Sequence, residues 1–368
     1  MPTFSDLDHR AMARAIELAK RGVNTTHPNP NVGCVIVKDG EVIAEGWHER
    51  AGGPHAEAMA LRALVAGPGL AAANGATVYV TLEPCSHYGR TPPCADALVS
   101  ARVGRVVFAM PDPNPKVAGR GAVLLTQAGI KVDVGLMEAE AEELNLGFLK
   151  RMRKGTPYVR VKVGMSLDGR TALANGKSKW ITSDAAREDV QHWRARSSAV
   201  LTGIGTVLAD DPQLNVRLPE VSRQPTVVVL DAKARLQPGA KLFSGGGPVV
   251  VFTKSGPLPG VAALRLKGAR VEVVSGGDQL DLSAMLLKLG ELELNDVLVE
   301  AGPTLTGALV RAGVADELLI YMAPKLLGPQ ARPLFDLPLL EDLQQAASFN
   351  LIETAQVGPD LRLRMRPN

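Results

Sequence analysis

The chain of 368 residues is long enough for two domains of ordinary size, and its 46% hydrophobic and 21% charged residues are typical of a folded protein with a sizeable core. A net charge of +3 and only 4% aromatic residues argue against binding to nucleic acid or to an anionic membrane surface. The three cysteines are too few for a disulfide framework, and no run of about 18 apolar residues occurs, so we expect no spanning helix and a cytoplasmic location.

The first half of the chain shows alternating strand and helix patterns. Asp39-Gly40 is a strong hairpin signal between the first two strands. We predict helices at Leu7–Lys20, His55–Ala66, Ala95–Ala101, Gly121–Ala128 and Glu138–Lys154, and strands at Val32–Val37, Glu41–Gly46, Thr77–Leu82 and Val103–Ala109. Gly155-Thr156-Pro157 then breaks the pattern, which predicts domains at 1–154 and 155–368.

The second half repeats the alternation of strands and helices, which indicates an α/β domain around a largely parallel sheet. Its predicted strands are Tyr158–Val163, Ala199–Thr202, Thr226–Leu230, Val249–Thr253, Val271–Val274, Asp296–Glu300 and Glu317–Met322.

The residues with the clearest chemical meaning are His55, Cys85 and Cys94, which offer one imidazole and two thiols as zinc ligands. Three protein ligands leave one position open, which is typical of catalytic zinc. The order His-x-Glu followed by Pro-Cys and a second Cys is typical of nucleobase deaminases. Glu57 would then be the general acid and base. Residues two apart cannot share a helix face, so His55 and Glu57 can converge only where a helix begins.

A closed structural zinc site is the alternative, with His87 as the fourth ligand. It leaves Glu57 without a role. Cys34 is expected to be a small buried strand residue.

Three stretches, Thr26–Gly33, Pro54–Glu57 and Leu82–Cys94, closely resemble the bacterial bifunctional riboflavin-biosynthesis deaminase/reductases. The eight residues between Cys85 and Cys94 exceed the common deaminase spacing, but a long loop is normal in that family. The resemblance covers nearly the whole chain. It implies an α/β protein, with a cytidine-deaminase-like domain of α/β/α layers at the N-terminus and a dihydrofolate-reductase-like α/β domain at the C-terminus.

For the first domain, the resemblance implies zinc-dependent hydrolysis of the ring amino group of 2,5-diamino-6-(5-phosphoribosylamino)pyrimidin-4(3H)-one. Substrate contacts would come from Asn31, His48 and the loop 112–116, and Arg90 would suit the phosphate.

In the second half, glycine-containing segments at 162–170, 202–212 and 300–309 follow strands. Such turns suit a pyrophosphate, although Gly203-Ile204-Gly205 lacks the third glycine of the dinucleotide fingerprint. The resemblance implies that NADPH reduces the ribosyl side chain of 5-amino-6-(5-phosphoribosylamino)uracil to ribityl. It assigns cofactor contacts to Gly164, Trp180, Thr206, Asp210, Ala232, Gly302, Pro303, Thr304, Leu305, Thr306, Gly307 and Ala308. It assigns substrate contacts to Ser178, Arg194, Leu214, Arg217 and Glu300, with the two arginines binding the 5′-phosphate.

Asp210, assisted by Lys162, is the acid expected beside the reacting sugar. A turn-capping aspartate and a strand lysine with a buried stem are the structural alternatives. Lys233 and Arg235 are candidates for contact with the 2′-phosphate of NADPH.

Two other functions compete with the bifunctional enzyme. One is a deaminase that edits nucleic acid, which the low aromatic content and the lack of a basic stripe disfavour. The other is a non-catalytic binding module in which zinc only stabilises the fold. We expect small phosphorylated pyrimidines as ligands, no nucleic acid or membrane partner, and a homo-oligomer.

Overall fold

The computed structural model describes residues 3–86, 93–114, 118–221, 223–256, 258–274 and 279–368. The chain divides into two compact units, Met1–Gly155 and Thr156–Asn368. Among the helices of the described ranges, none combines the length and the apolar character needed to cross a membrane.

The first unit contains one five-stranded sheet in the order β2-β1-β3-β4-β5. Its strands are β1 (Gly33–Lys38), β2 (Glu41–Trp47), β3 (Thr77–Val80), β4 (Arg105–Phe108) and β5 (Lys131–Val134). β1 is antiparallel to β2 and β3, whereas β3, β4 and β5 run parallel. The β1–β2 hairpin turns at Asp39 and Gly40, which both have positive φ angles, as the sequence predicted. Cys34 is fully buried in β1, also as predicted.

The helices of this unit are α1 (Asp6–Lys20), α2 (Ala56–Ala66), α3 (Cys94–Ser100), α4 (Arg120–Gln127), α5 (Glu138–Leu144) and α6 (Leu146–Lys154). Two strand glycines show how the helices cover the sheet. A Cβ on Gly33 would come within 1.9 Å of the α1 carbonyl of Ala15, and one on Gly46 within 2.4 Å of the α2 carbonyl of Ala56. Because Gly46 pairs with Cys34, Gly33 and Gly46 lie on opposite faces of the sheet. α1 and α2 therefore form the two outer layers of an α/β/α arrangement.

The single helix predicted over Glu138–Lys154 is wrong, because the structure has two helices that meet at Asn145. The buried Asn145 side chain accepts a hydrogen bond from the backbone N–H of Asn31 (2.7 Å) and donates to the Asn31 carbonyl (3.0 Å). This pairing with a distant segment fixes a non-helical backbone at the junction (φ −124°, ψ 17°).

The second unit contains a nine-stranded sheet in the order β11-β10-β9-β8-β12-β6-β13-β16-β15, and a separate β7–β14 pair. The strands are β6 (Tyr158–Ser166), β7 (Arg170–Ala172), β8 (Ala199–Gly203), β9 (Thr226–Leu230), β10 (Val249–Thr253), β11 (Arg270–Val273), β12 (Asp296–Glu300), β13 (Glu317–Ala323), β14 (Arg332–Pro333), β15 (Phe349–Val357) and β16 (Asp360–Pro367). All neighbours from β11 to β13 are parallel, whereas β16 is antiparallel to both β13 and β15. The predicted strands are present with small changes of their ends, but β7, β14, β15 and β16 were not predicted.

The helices of this unit are α7 (Asp184–Arg196), α8 (Ile204–Asp210), α9 (Pro259–Leu266), α10 (Leu282–Glu291) and α11 (Pro303–Arg311). The order of the strands matters for function. The chain moves outward from β8 to β11 and then returns to place β12 between β8 and β6. The carboxyl ends of β6, β8 and β12 therefore lie side by side, at the kind of switch point where open α/β sheets bind ligands.

Candidate functional site

In the first unit, the three predicted zinc ligands lie together. One donor atom from each of His55, Cys85 and Cys94 lies within 4.8 Å of the other two. His55 Nδ1 is 3.6 Å from Cys85 Sγ and 3.4 Å from Cys94 Sγ. One imidazole nitrogen and two thiol sulfurs at this spacing are ligands that a zinc ion prefers.

Two helix starts bring these ligands together. His55 is the N-cap of α2, and Cys94 is the first residue of α3. Cys85 follows β3 and is tied to α3, because its carbonyl accepts from Ala95 N (3.1 Å) and its sulfur accepts from Cys94 N (3.2 Å). Contact with Cys94 lowers the pKa of the Cys85 thiol, whereas contact with Cys85 raises the pKa of Cys94. The helix starts predicted from the sequence are confirmed.

Glu57 lies in the first turn of α2 with only 3% of its surface exposed. Burial raises the pKa of its carboxyl to about 7, and the charge of Cys85 acts in the same direction. A carboxyl group with such a pKa can both take up and release a proton near neutral pH.

The predicted substrate residues of this unit differ in their surroundings. The ring of His48 is buried and meets that of His55 edge to face, 5.5 Å between centroids. His48 Nε2 contacts Asn29 Nδ2 (3.0 Å). The side chain of Asn31 already bonds to the protein, since its Oδ1 accepts from Thr26 Oγ1 (2.8 Å) and its Nδ2 donates to Leu144 O (3.0 Å). Arg90 and the part of the 112–116 loop beyond Asn114 lie outside the described residues.

Sequence reasoning missed Glu83, an acid that is almost fully buried. Its carboxylate accepts hydrogen bonds from the backbone N–H groups of Asp112, Gly119, Gly121 and Ala122. Its place two residues before the predicted zinc ligand Cys85 was the available signal, but its partners lie about 30 to 40 positions away in sequence.

In the second unit, Glu300 is the last residue of β12 and faces Lys162 in the middle of the longer strand β6. They are direct register partners, with Lys162 Nζ 3.8 Å from Glu300 Oε2. Arg194 on α7 donates to both oxygens of Glu300 at 2.5 and 3.0 Å. Burial acts to raise the pKa of Glu300, but the charges of Arg194 and Lys162 outweigh it and lower this pKa to about 2. Burial lowers the pKa of Lys162.

Asn215 connects this cluster to the second predicted arginine. Arg194 donates to its carbonyl (3.0 Å), and Arg217 donates to its side-chain oxygen (3.4 Å). Leu214, just before it, is buried and has a φ of +56°. The structure thus brings together four predicted substrate residues and Lys162.

Asp210 forms its ion pair with a residue outside this cluster. It is the last residue of α8, and its Oδ1 is 3.1 Å from Lys179 Nζ. The neighbouring Trp180 is 63% exposed, with the guanidinium of Arg187 4.2 Å from its ring centre. Ser178 is half-buried in the same segment.

α11 begins directly after β12, with Gly302 as its N-cap and no side-chain cap. A Cβ on Gly302 or Gly205 would meet no atom within 4 Å, so there is open space beside the backbone at these two positions. Farther along α11 the space is occupied by the protein itself. Thr306 is buried and bonds to Gly302 O, and a Cβ on Gly307 would come within 2.4 Å of Asp336 O.

The other predicted cofactor residues lie at or near the same edge of the sheet. Gly164 is in β6 beside Thr182, Thr206 is half-buried in α8, and Ala232 accepts from Lys254 N (3.2 Å) in the turn after β9.

Two family models match these units. The cytidine and deoxycytidylate deaminase zinc-binding region matches residues 5–110, and the RibD C-terminal domain matches residues 157–363. The riboflavin biosynthesis protein RibD of Escherichia coli (strain K12) is 52% identical, and the alignment covers 97% of this chain and 99% of the relative. The chain belongs to the RibD family.

Other RibD proteins agree along the whole length. The relative from Haemophilus influenzae is 48% identical and covers 100% of this chain, with 99% of that protein aligned. Among solved structures, Acinetobacter baumannii RibD (form 1) superposes with a TM-score of 0.91 at 50% identity, covering 98% of this chain and 99% of that chain. The deaminase/reductase from Thermotoga maritima gives 0.88 at 36% identity, covering 98% and 99%.

Membership in the RibD family makes this chain a bifunctional deaminase and reductase of riboflavin biosynthesis that acts on small phosphorylated pyrimidines. The predicted cofactors, zinc for the deaminase and NADPH for the reductase, agree with that membership and with the donor cluster of the first unit.

Proposed function

We propose that residues 1–154 form the deaminase domain and residues 155–368 the reductase domain. The deaminase would convert 2,5-diamino-6-(5-phosphoribosylamino)pyrimidin-4(3H)-one, and the reductase would use NADPH to convert the ribosyl group of 5-amino-6-(5-phosphoribosylamino)uracil to ribityl. The Thermotoga maritima relative is described as both of these activities. The observation that carries the deaminase assignment is the meeting of three zinc-type donors beside a buried carboxyl group.

In the deaminase site, His55, Cys85 and Cys94 would hold the metal. Zinc, when bound, would act as a Lewis acid and lower the pKa of a water molecule to about 7. Glu57 would take a proton from water and deliver it to the ring, and would then carry the proton of the added hydroxyl group to the departing ammonia. Burial raises the pKa of this carboxyl group, which favours such proton exchange. His48 contacts the His55 ring and would form part of the pocket wall, with Asn31 and Arg90 as further substrate contacts.

In the reductase site, NADPH supplies a hydride when bound. The open start of α11, from Gly302 to Leu305, would bind its pyrophosphate through backbone N–H groups. Glu300 would orient the sugar hydroxyls, and Arg217 would bind the 5′-phosphate. Arg194 was expected to be a second phosphate contact, but because it donates two hydrogen bonds to Glu300, we propose that it holds this acid in place. Lys162 has its pKa lowered by burial and would donate a proton more readily than an exposed lysine.

Asp210 remains our candidate acid beside the sugar, and its ion pair with Lys179 would hold it in place next to Trp180. The remaining predicted contacts at Gly164, Ser178, Thr206, Leu214 and Ala232 surround this edge of the sheet.

The test is a Glu57→Gln substitution in the full chain, with zinc content, ammonia release and NADPH oxidation measured on one preparation. We expect full zinc content, a loss of deaminase kcat of about 100-fold or more, and an unchanged reductase. The exposed Glu41→Gln serves as the matched control. Unchanged ammonia release would mean that the zinc site is structural.

We also propose that the protein works as a homo-oligomer in the cytoplasm, where free thiols remain reduced. Six large apolar side chains are exposed between residues 337 and 352, namely Leu337, Leu339, Leu340, Leu343, Leu351 and Ile352. This segment leads into and includes the edge strand β15. Monomers rarely expose such a concentration of apolar residues. Light scattering of the full chain checks the oligomeric state.

A further inference from the structure

Glu83 makes an unusual set of contacts for a charged residue. Only 3% of its surface is exposed, and both carboxylate oxygens accept backbone hydrogen bonds. Oε2 accepts from Asp112 N (3.2 Å) and Gly119 N (3.0 Å), and Oε1 accepts from Gly121 N (3.0 Å) and Ala122 N (3.2 Å). A buried carboxylate with four donors connects the end of β3 to the segment after β4 and to the first turn of α4.

A second contact, between backbone atoms, also holds α4 against the segment that contains Glu83. A Cβ on Gly121 would come within 2.1 Å of the carbonyl oxygen of Pro84. Only glycine therefore allows α4 to lie this close to the backbone that connects Glu83 with Cys85.

These contacts hold the chain immediately before a proposed zinc ligand. Cys85 is two residues from Glu83, and its carbonyl and sulfur are bonded to the start of α3. The position of Cys85 is thus set from one side by α3 and from the other by Glu83 and Gly121.

The same carboxylate also holds the predicted pocket loop. Asp112 N donates to Glu83, and Asp112 Oδ1 then accepts from Asn114 N (2.8 Å). β3 and β4 are parallel neighbours, so this turn and Cys85 follow adjacent carboxyl ends of the sheet.

We propose that Glu83 is a positioning residue of the deaminase site, which fixes the distance between the zinc ligand Cys85 and the substrate loop that begins at Asp112. This inference depends on the proposed ligand role of Cys85. The carboxylate itself would touch neither zinc nor substrate.

Two variants of the full-length holoenzyme test the proposal from opposite sides of the contact. Glu83→Gln keeps the shape but turns an amide NH₂ toward backbone N–H donors. Gly121→Ala leaves Glu83 intact and forces Pro84 away from α4. In both, we expect the deaminase KM for the pyrimidine to rise about tenfold in the zinc-loaded fraction, as for the loss of hydrogen bonds to a charged group. Reductase kcat and KM should not change.

Glu83→Asp keeps the charge but shortens the side chain, so we expect a KM between those of the wild type and Glu83→Gln. The exposed Glu140→Gln is the control. A purely structural role would lower the zinc-loaded fraction and leave its KM at the wild-type value. That result in Glu83→Gln, or in Gly121→Ala where the first variant does not fold, overturns the proposal.

Cys85→Ser separates this inference from the proposed function. If Cys85→Ser keeps zinc, the ligand assignment is wrong. If Cys85→Ser loses zinc while both positioning variants keep the wild-type KM, only the inference about Glu83 is wrong.

Discussion

Arg194 holds the carboxylate of Glu300 through two hydrogen bonds of 2.5 and 3.0 Å, at the point where β12 ends between β6 and β8. Both side chains are about nine-tenths buried. Lys162 adds a second cation 3.8 Å from the same carboxylate. Two cations around one acid place a net positive charge beside the proposed phosphate contact Arg217, which suits an anionic substrate.

Glu300→Gln should therefore destabilise the second unit. Removing the acid leaves Arg194 and Lys162 buried without its charge, and breaking a buried ion pair costs about 3 kcal/mol. We expect the free energy of unfolding of this unit to fall by about that amount in denaturant titrations at pH 7, with reductase activity lost as well. The exposed Glu220→Gln should match the wild type. Equal stability of the two variants would contradict the pairing.

The same acid predicts a pH dependence. The pKa of Glu300 is about 2 in the folded protein against an ordinary value of 4.5, so the unfolded chain binds the proton more tightly. The stabilisation is fully present above about pH 4.5 and is lost as the pH falls toward 2, and the shift corresponds to about 3 kcal/mol. Unfolding measured between pH 6 and pH 3 should show a smaller loss of stability in Glu300→Gln than in the wild type. Parallel curves would exclude this contribution.

Zinc removal should separate the two activities. A chelator at pH 7 should abolish ammonia release, by about 100-fold or more, while NADPH oxidation on the deaminated substrate continues. Added zinc should restore the first activity. Cys94→Ser should behave like the chelated protein and resist restoration, because one of the three donors is missing. Ammonia release that persists in zinc-free protein would refute the metal assignment.

Asn145→Ala should destabilise the first unit, because the side chain bonds to both backbone groups of Asn31. Leaving these partly buried backbone groups without partners costs about 2 kcal/mol. The free energy of unfolding of this unit should fall by about that amount, whereas the exposed Asn350→Ala should change little. An unchanged first unit would mean that water replaces the amide.

The sequence predicted those elements whose signals are local. Thr226–Leu230, Val249–Thr253 and Asp296–Glu300 are observed with the predicted bounds, because buried parallel strands are short apolar runs. The cluster of His55, Cys85 and Cys94 could be predicted because zinc is bound by only a few residue types.

What the sequence did not predict depends on distant partners. The helical pattern of the sequence continues through Asn145, where α5 ends and the side chain bonds to the distant Asn31. Glu83 lies within the stretch Leu82–Cys94 that carried the family resemblance. Its own role was not predictable from that stretch, because its hydrogen-bond donors come from residues 112–122. In β16 the alternation of Leu361, Leu363 and Met365 with arginines was a usable strand signal. The buried Glu317 that pairs with Arg364 belongs to another strand.

Selectivity for NADPH over NADH should depend on the turn after β9. Lys233 and Arg235 are exposed there, at the same carboxyl edge of the sheet as Gly302, and Lys254 follows the neighbouring strand β10. NADPH differs from NADH only by the 2′-phosphate, which arginine and lysine bind as an anion. Arg235→Ala should raise the KM for NADPH about tenfold, which corresponds to the loss of one charge-assisted hydrogen bond. The double variant with Lys233→Ala should raise this KM further.

The KM for NADH should stay constant, because that cofactor lacks the phosphate. Added salt should weaken NADPH binding in the wild type more than in the variants, since screening acts on the exposed pair of charges. Lys267→Ala is the control, an exposed lysine just before β11 at the opposite edge of the sheet. A similar rise of the KM for both cofactors would instead place these cations on the shared part of the dinucleotide.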